Sequence, residues 1–279
     1  MNIEISGNMQ RASAMVSSNI VEEDADDDLD SLQKNQTYSP VNLTYTPSSA
    51  RTRANMQAFI AHARKSGAGQ GAQMEQLLGS VDAVGLVGGA MDGMGLDRNN
   101  VAHAYAMYWA VYWGLANKVY DRPSSRAMQA VARQAERGFA SSAEFAASSE
   151  ADKQMMAEEL MVNALILDSV SEEAKTNKAV ADQMAKASME GSRKSGLEFD
   201  KMTLTEEGFV PKGSKGSDAS DAKDAADPLS SGNALASTDG DGKDSKDGLS
   251  TTQLALIAAA AGAGLGGIFL AGKAAGRKG

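Results

Sequence analysis

The chain has 279 residues, of which 42% are hydrophobic and only 5% aromatic, and its formal net charge is −9. Because it contains no cysteine, disulfide frameworks and cysteine-ligated metal sites are excluded. The acidic balance lacks the positive field that nucleic-acid binding requires, so we expect no nucleic-acid partner.

The acidic surplus is concentrated near the N-terminus. Residues 1–40 carry eight acidic and two basic side chains, and seven of the nine residues from Glu22 to Asp30 are carboxylates. Since such a run repels itself and has little apolar surface to bury, we expect 1–40 to be a disordered tail. Residues 1–15 contain no apolar run as long as a signal-peptide core, so no secretory signal is visible.

Residues 41–210 show helical periodicity and predict a single multi-helix globular bundle of the all-α class. A short extended arm over 41–47 comes first. Thr46 followed by Pro47 predicts the start of the first helix, because proline is tolerated at the first helical position. Further helices are expected over about 70–78 and 81–91, the second of them rich in glycine.

The helix expected from Asp97 to Lys118, capped by Asp97 or Asn99, is the most informative element. Five aromatic side chains fall on one face at helical spacing, namely Tyr105, Tyr108, Trp109, Tyr112 and Trp113. In a domain with few other large side chains, this face predicts the centre of the core. The alternative is a ligand groove, which a cavity beside Trp109 and Trp113 lined by convergent polar groups would favour.

Three more helices are predicted, one opened by Pro123 and the others over 150–169 and 172–193. Residues 197–210 are expected to fold back onto the bundle. Residues 211–250 are rich in Gly, Ser, Ala, Asp and Lys and have hardly any large apolar side chain. Such a segment cannot offset its ordering entropy, so we expect a disordered acidic linker.

Residues 251–279 predict a transmembrane-type helix with a basic tail. The 18 residues from Leu254 to Ala271 carry no charge and would span about 27 Å as a helix, close to the thickness of a bilayer core. The residues that define this membrane segment are Leu254, Leu256, Ile257, Gly262, Leu265, Gly266, Ile268, Phe269 and Leu270. The spacing of Gly262 and Gly266 would allow a homo-oligomer by close helix contact. Three basic residues after the segment against two before it leave its orientation open.

Three stretches resemble a bacterial family known as domain of unknown function 6683, over about residues 41–210. They are LTYTPSSARTRANMQAFIAHAR (Leu43–Arg64), NNVAHAYAMYWAVYW (Asn99–Trp113) and KMTLTEEGFV (Lys201–Val210). Members look like exported or envelope proteins with a helical domain and usually begin with a signal peptide. The resemblance therefore implies a cell-envelope location and no particular activity, although residues 1–15 depart from the signal-peptide pattern.

No catalytic, cofactor or metal residues are expected. The two histidines, His62 and His103, lack the spacing of a zinc site. Four acidic residues near helix ends or faces are the remaining candidates for acid–base pairs, namely Asp97, Asp121, Glu158 and Glu159. Pairs as ordinary as these are usually solvated side chains.

The sequence thus predicts a membrane-anchored, non-enzymatic protein of the bacterial cell envelope that acts through contacts with an unknown protein partner. One alternative is a small-ligand binder or enzyme that uses the aromatic face of the Asp97–Lys118 helix. The other is a secreted effector whose C-terminal segment inserts into a target membrane.

Overall fold

A computed structural model describes residues 41–66, 68–140, 142–194 and 196–214. Within these ranges the elements are α1 (Ser49–Ser66), α2 (Ala68–Ser80), α3 (Ala83–Gly93), α4 (Val101–Asn117), α5 (Ser125–Ala140), the short α6 (Ala143–Ala146), α7 (Glu150–Thr176), α8 (Lys178–Lys194), a 3-10 turn (Phe199–Lys201), β1 (Met202–Thr205) and β2 (Gly208–Pro211). The predicted helical bundle is confirmed. The all-α class needs one amendment, because β1 and β2 pair as an antiparallel hairpin.

Helix α4 occupies the centre of the bundle. It packs against α5, α7 and α8, and 14 of its 17 residues are buried. A helix that is apolar on all sides must be surrounded by other elements. Its first turn is capped by Asn100, whose side-chain oxygen accepts from the Ala102 N–H at 2.9 Å. The prediction of Asp97 or Asn99 as the cap is wrong, because Asp97 instead accepts from the Asn99 N–H at 2.8 Å and shapes the preceding turn.

The aromatic side chains of α4 pack against the C-terminal hairpin. Trp109 is fully buried, with its ring centroid 4.6 Å from that of Phe209 and 6.3 Å from that of Phe199. The Gln134 amide on α5 binds both backbone groups of Phe209, at 2.9 Å to the N–H and 2.8 Å to the carbonyl oxygen. As predicted, residues 197–210 fold back onto the bundle, and they do so as a hairpin.

The arm at 41–47 is extended and lies beside the start of α4. The Tyr45 N–H donates to the Asn99 carbonyl oxygen, and the Val101 N–H donates to that of Leu43, each at 3.0 Å. Lys153 on α7 donates to the Thr44 carbonyl oxygen at 2.7 Å. The arm therefore joins the N-terminal ends of α4 and α7.

Two predicted helix starts are wrong by two residues. The first helix begins at Ser49 and α5 begins at Ser125, whereas the sequence predicts Pro47 and Pro123. The reason is visible at α5, where the Ser124 hydroxyl accepts from the Ala127 N–H at 3.1 Å. A serine cap directly before each helix overrides the proline signal.

Residues 150–176 form one helix of 27 residues, so the predicted break near residue 170 is also wrong. The Ser171 hydroxyl donates to the Leu167 carbonyl oxygen at 3.0 Å, which keeps this serine inside the helix. The break falls instead at Asn177, whose extended backbone separates α7 from α8.

The tail 1–40, most of the linker and the membrane segment lie outside the described residues, as do Gly262 and Gly266. Among the helices that the structure does describe, none combines the length and apolar character needed to cross a bilayer.

Candidate functional site

A cavity of about 260 Å³ lies beside the C-terminal half of α4. Its walls come from α4, the loop that follows it, the C-terminal part of α7 and strand β1, with Met94 after α3 and Met128 on α5. A closed apolar cavity of ~150 Å³ is large enough to hold benzene. The α4 cavity therefore has room for a small organic molecule.

The inner wall of the cavity is apolar. It consists of side chains from several elements, namely Met94, Met107, Val111, Trp113, Met128 and Leu204. Methionine is unbranched and polarisable, so a wall with three of them can adapt to ligands of different shape. The indole N–H of Trp113 donates to the Met202 carbonyl oxygen at 3.3 Å, which fixes the ring against the hairpin.

The remaining lining is polar and includes Tyr120, Asp121, Arg122, Asp168, Ser171 and Thr203. The Tyr120 hydroxyl is buried and has no hydrogen-bond partner among the described residues. The half-buried Asp168 carboxylate likewise makes no hydrogen bond or ion pair within that part of the chain. Buried polar groups are usually paired, so the unpaired Tyr120 hydroxyl at the cavity needs a physical reason, whereas the Asp168 carboxylate is only half-buried.

Burial raises the pKa of Asp168 above its ordinary value. The nearby Arg122 and Lys175 oppose this shift, whereas Glu172 adds to it. The Asp168 carboxylate is thus partly shielded from water, and the positive charge of Arg122 only partly offsets the effect of burial. Such a group gains the most from a ligand that donates hydrogen bonds or positive charge.

The loop over the cavity is shaped by a close backbone contact. Lys118 ends α4 in the left-handed conformation (φ 58°, ψ 36°), and the Val119 N–H then donates to the Gly114 carbonyl oxygen at 2.9 Å. A Cβ on Gly114 would lie 2.5 Å from the Val119 carbonyl oxygen. Only glycine lets the loop turn back this closely, and the turn brings residues 119–123 to the cavity.

The aromatic face predicted from the sequence divides into two parts. All five rings are buried, but only Trp113 lines the cavity. Tyr105 and Trp109 pack against each other in the core, with their ring centroids 5.5 Å apart. Tyr112 packs edge-on against Phe199. The cavity lies beside Trp113 and is separate from the rest of the aromatic face.

The predicted acidic residues do not converge. The Glu158 carboxylate accepts from Thr52 and Asn55 of α1, each at 2.6 Å, and from Gln154 at 2.8 Å. Glu159 is the next residue of the same helix, and its electrostatic interaction is with Tyr108 on α4. Neighbouring helical residues do not face each other, so these two carboxylates cannot share a substrate.

The two histidines have structural partners or lie away from the cavity. The Asp97 N–H donates to His103 Nδ1 at 2.7 Å, and the other ring nitrogen lies 2.9 Å from a Glu136 oxygen. Burial lowers the pKa of His62, which does not line the cavity. In the described ranges no group of three or more metal-ligating side chains occurs.

Of the acidic candidates named from the sequence, Asp121 lines the cavity, but sequence reasoning missed the other polar residues there. Tyr120 and Arg122 lie in a loop between two helices, and Asp168 and Ser171 lie near the predicted break in α7. The one available signal was the spacing of Asp168 and Ser171, which places both on one face of a continuous helix. Because the sequence predicts a helix break at residues 170–171, Asp168 and Ser171 were not placed on a common helix face.

The profile of a family described as "Family of unknown function (DUF6683)" matches residues 2–212 of the chain. This match covers more than half of the sequence, so the chain belongs to that family, and the resemblance seen in the sequence is confirmed. The match also extends beyond residues 41–210, into the acidic N-terminal segment. No curated protein and no solved structure matches the chain.

The buried carboxyl group of Glu159 should make the stability of the protein depend on pH. Burial raises the pKa of this carboxyl to about 8 from 4.5, and its Oε1 atom has no partner among the described residues. Between these two pH values the folded protein keeps a proton that the unfolded chain releases. The free energy of unfolding should therefore fall as pH rises from 4.5 to 8, by up to about 1.4 kcal/mol per pH unit.

Glu159→Gln should remove this contribution and stabilise the protein by on the order of 3 kcal/mol at pH 8, with little change at pH 4.5. Urea denaturation of both proteins across this pH range measures the difference. Glu75→Gln, at a glutamate with 58% side-chain exposure, is the matched control and should leave the pH dependence unchanged. Equal pH dependence in the wild type and Glu159→Gln would contradict the assignment.

Proposed function

We propose that this member of a family of unknown function is a membrane-tethered, non-enzymatic binding protein of the bacterial cell envelope. In this proposal the helical domain holds a small ligand in the cavity beside Trp113. The segment from Leu254 to Ala271 keeps the domain at the membrane.

The observation that carries the binding function is a pair of polar groups without partners at a cavity that also has an apolar wall. The Tyr120 hydroxyl and the Asp168 carboxylate both lack partners among the described residues. Leaving the buried Tyr120 hydroxyl unpaired costs about 1–3 kcal/mol, whereas the half-buried Asp168 carboxylate keeps some contact with solvent. A ligand that pairs with them would remove this cost, and the apolar wall would supply the rest of the binding energy.

Binding fits this geometry better than catalysis does. The Ser171 hydroxyl donates to the Leu167 carbonyl oxygen, so its proton is engaged in the helix. Neither histidine lines the cavity, and no other base lies in hydrogen-bond contact with that hydroxyl within the described residues. A serine nucleophile needs such a base. The enzyme alternative would have to rely on the carboxylates of Asp121 and Asp168.

The membrane tether rests on the sequence. Seven strongly apolar residues of the segment contribute about −0.3 to −0.6 kcal/mol each to insertion, or roughly −2 to −4 kcal/mol in total. Its four glycines reduce this gain, so the balance is small. A single charge near the middle of the segment should therefore be enough to prevent insertion.

Two other functions remain as proposals. Action through contacts with a protein partner would need an apolar anchor on the surface. Among the described residues Val119 is the one large hydrophobic side chain that is exposed, at 43%, and it lines the cavity. A secreted effector would use the same C-terminal segment against the membrane of another cell. Recovery from the culture medium would favour that function.

Filling the cavity should abolish ligand binding. Val111 is half-buried and lines the cavity, so Val111→Trp places a large ring in the ligand space. We expect at least a tenfold loss of affinity for 3-phenylpropan-1-ol, a neutral probe, by isothermal titration calorimetry. Val84→Trp introduces the same ring at a half-buried valine away from the cavity and should leave binding unchanged. Equal binding by both variants would place the probe elsewhere.

The tether is tested by fractionation of cells that express the full chain. The protein should remain in the membrane pellet after a carbonate wash, and truncation after Leu249 should release it. Leu265→Lys should also release it, because a central lysine costs about 2.5–3.5 kcal/mol, whereas Ser250→Lys lies outside the segment and should not. A soluble full-length protein would remove the tether from the proposal.

A further inference from the structure

We propose that the ligand of the α4 cavity is a compact, mostly apolar molecule that carries a protonated amine. The inference rests on the proposed binding function and specifies the chemical class of the ligand. Three features of the cavity support it: its free acceptors, its aromatic rings and the different settings of its charged side chains.

Two polar groups on α7 that line the cavity can accept hydrogen bonds. Asp168 and Ser171 are three residues apart on α7 and so lie on one face of the helix. The Ser171 proton is donated to the Leu167 carbonyl oxygen, which leaves the lone pairs of the hydroxyl free. An ionised carboxylate only accepts. A ligand head group that donates several hydrogen bonds, such as an ammonium, matches this set.

Two aromatic rings line the same cavity as Asp168. These rings belong to Trp113 and Tyr120. Because the Trp113 indole N–H is already bonded to the Met202 carbonyl oxygen, the ring contributes its carbon atoms to the cavity. A cation near the face of an indole or phenol ring is attracted by the ring quadrupole. Aromatic rings beside an unpaired carboxylate are a favourable setting for an ammonium group.

The charged side chains at the cavity differ in how they are held. Asp168 is half-buried in the wall on α7, whereas Asp121 and Arg122 are exposed on the loop. Arg122 makes no hydrogen bond or ion pair within the described residues, so its charge stays largely solvated. On the following turns of α7, Glu172 raises the pKa of Asp168 and Lys175 lowers it, so their effects oppose each other. The fixed charge that a ligand meets inside the cavity is therefore negative.

The size of the cavity limits the apolar part of the ligand. A volume of about 260 Å³ exceeds the ~150 Å³ that holds benzene. It accommodates a phenyl ring with a short chain, and it excludes a long lipid tail unless the tail projects through the opening. An aryl-alkyl amine fits both the volume and the polar groups.

Three probes that share one phenylpropyl body separate charge from shape. They are 3-phenylpropan-1-amine, 3-phenylpropan-1-ol and 3-phenylpropanoate, titrated into the full chain by calorimetry at pH 7. We expect the amine to bind at least about tenfold more tightly than the alcohol, and the carboxylate to bind most weakly. The alcohol reports on the cavity itself, independently of charge.

Variants assign the effect to Asp168. Asp168→Asn should lower the affinity for the amine about tenfold, to that of the alcohol, and should leave the alcohol unchanged, which also shows that the cavity is intact. Arg122→Gln removes a positive charge at the cavity, so it should raise the affinity for the amine probe and lower the affinity for 3-phenylpropanoate. Glu190→Gln removes a surface carboxylate with 53% side-chain exposure and controls for net charge, so it should change none of the three affinities.

The outcomes separate the inference from the function on which it rests. Equal affinity for the three probes, or tightest binding of the carboxylate, would overturn the amine assignment and leave a ligand cavity. An amine preference that persists in Asp168→Asn would also overturn it. If no probe binds, the proposed binding function itself fails, and the inference fails with it.

Discussion

The packing of Trp109 between α4 and the C-terminal hairpin is the contact on which the rest of the structure depends. The indole is fully buried and touches the rings of Tyr105, Phe199 and Phe209. Aromatic pairs add about 0.5–1.5 kcal/mol each beyond their buried area. Its N–H has no partner within the described part of the chain, which costs about 1–3 kcal/mol. Several ring contacts together offset that cost, and they hold a hairpin that is too short to be stable alone.

The cavity is a consequence of this arrangement. The docked hairpin brings Leu204 to one side of it, and the close turn at Gly114 brings the following loop to another. Asp168 reaches the same space because α7 continues past the position where the sequence suggested a break. The three elements enclose apolar volume and leave polar groups unpaired. The fold therefore encloses a cavity that has an apolar wall and a polar side.

The central helix could be predicted from the sequence because its aromatic side chains repeat at helical spacing, a local signal. Helix starts were missed where a serine or asparagine cap competed with a proline or a neighbouring polar residue. The start of α5, capped by Ser124, was missed by two residues, and the cap of α4, Asn100, lies one residue after Asn99 and three after Asp97. The hairpin was not predicted as a sheet, since its pairing depends on docking against Trp109 and Gln134. The cavity could not be predicted, because its lining comes from segments far apart in the chain. Residue spacing alone does not show that they meet.

The two tryptophans of the chain allow the most direct test of the account, because Trp113 lines the cavity and Trp109 lies in the core. Their indole N–H resonances can be followed by nitrogen-15 NMR during titration with a neutral phenylpropyl probe. We expect the Trp113 resonance to shift to saturation while the Trp109 resonance stays in place. A probe that binds without moving the Trp113 resonance, or that moves only that of Trp109, would contradict it.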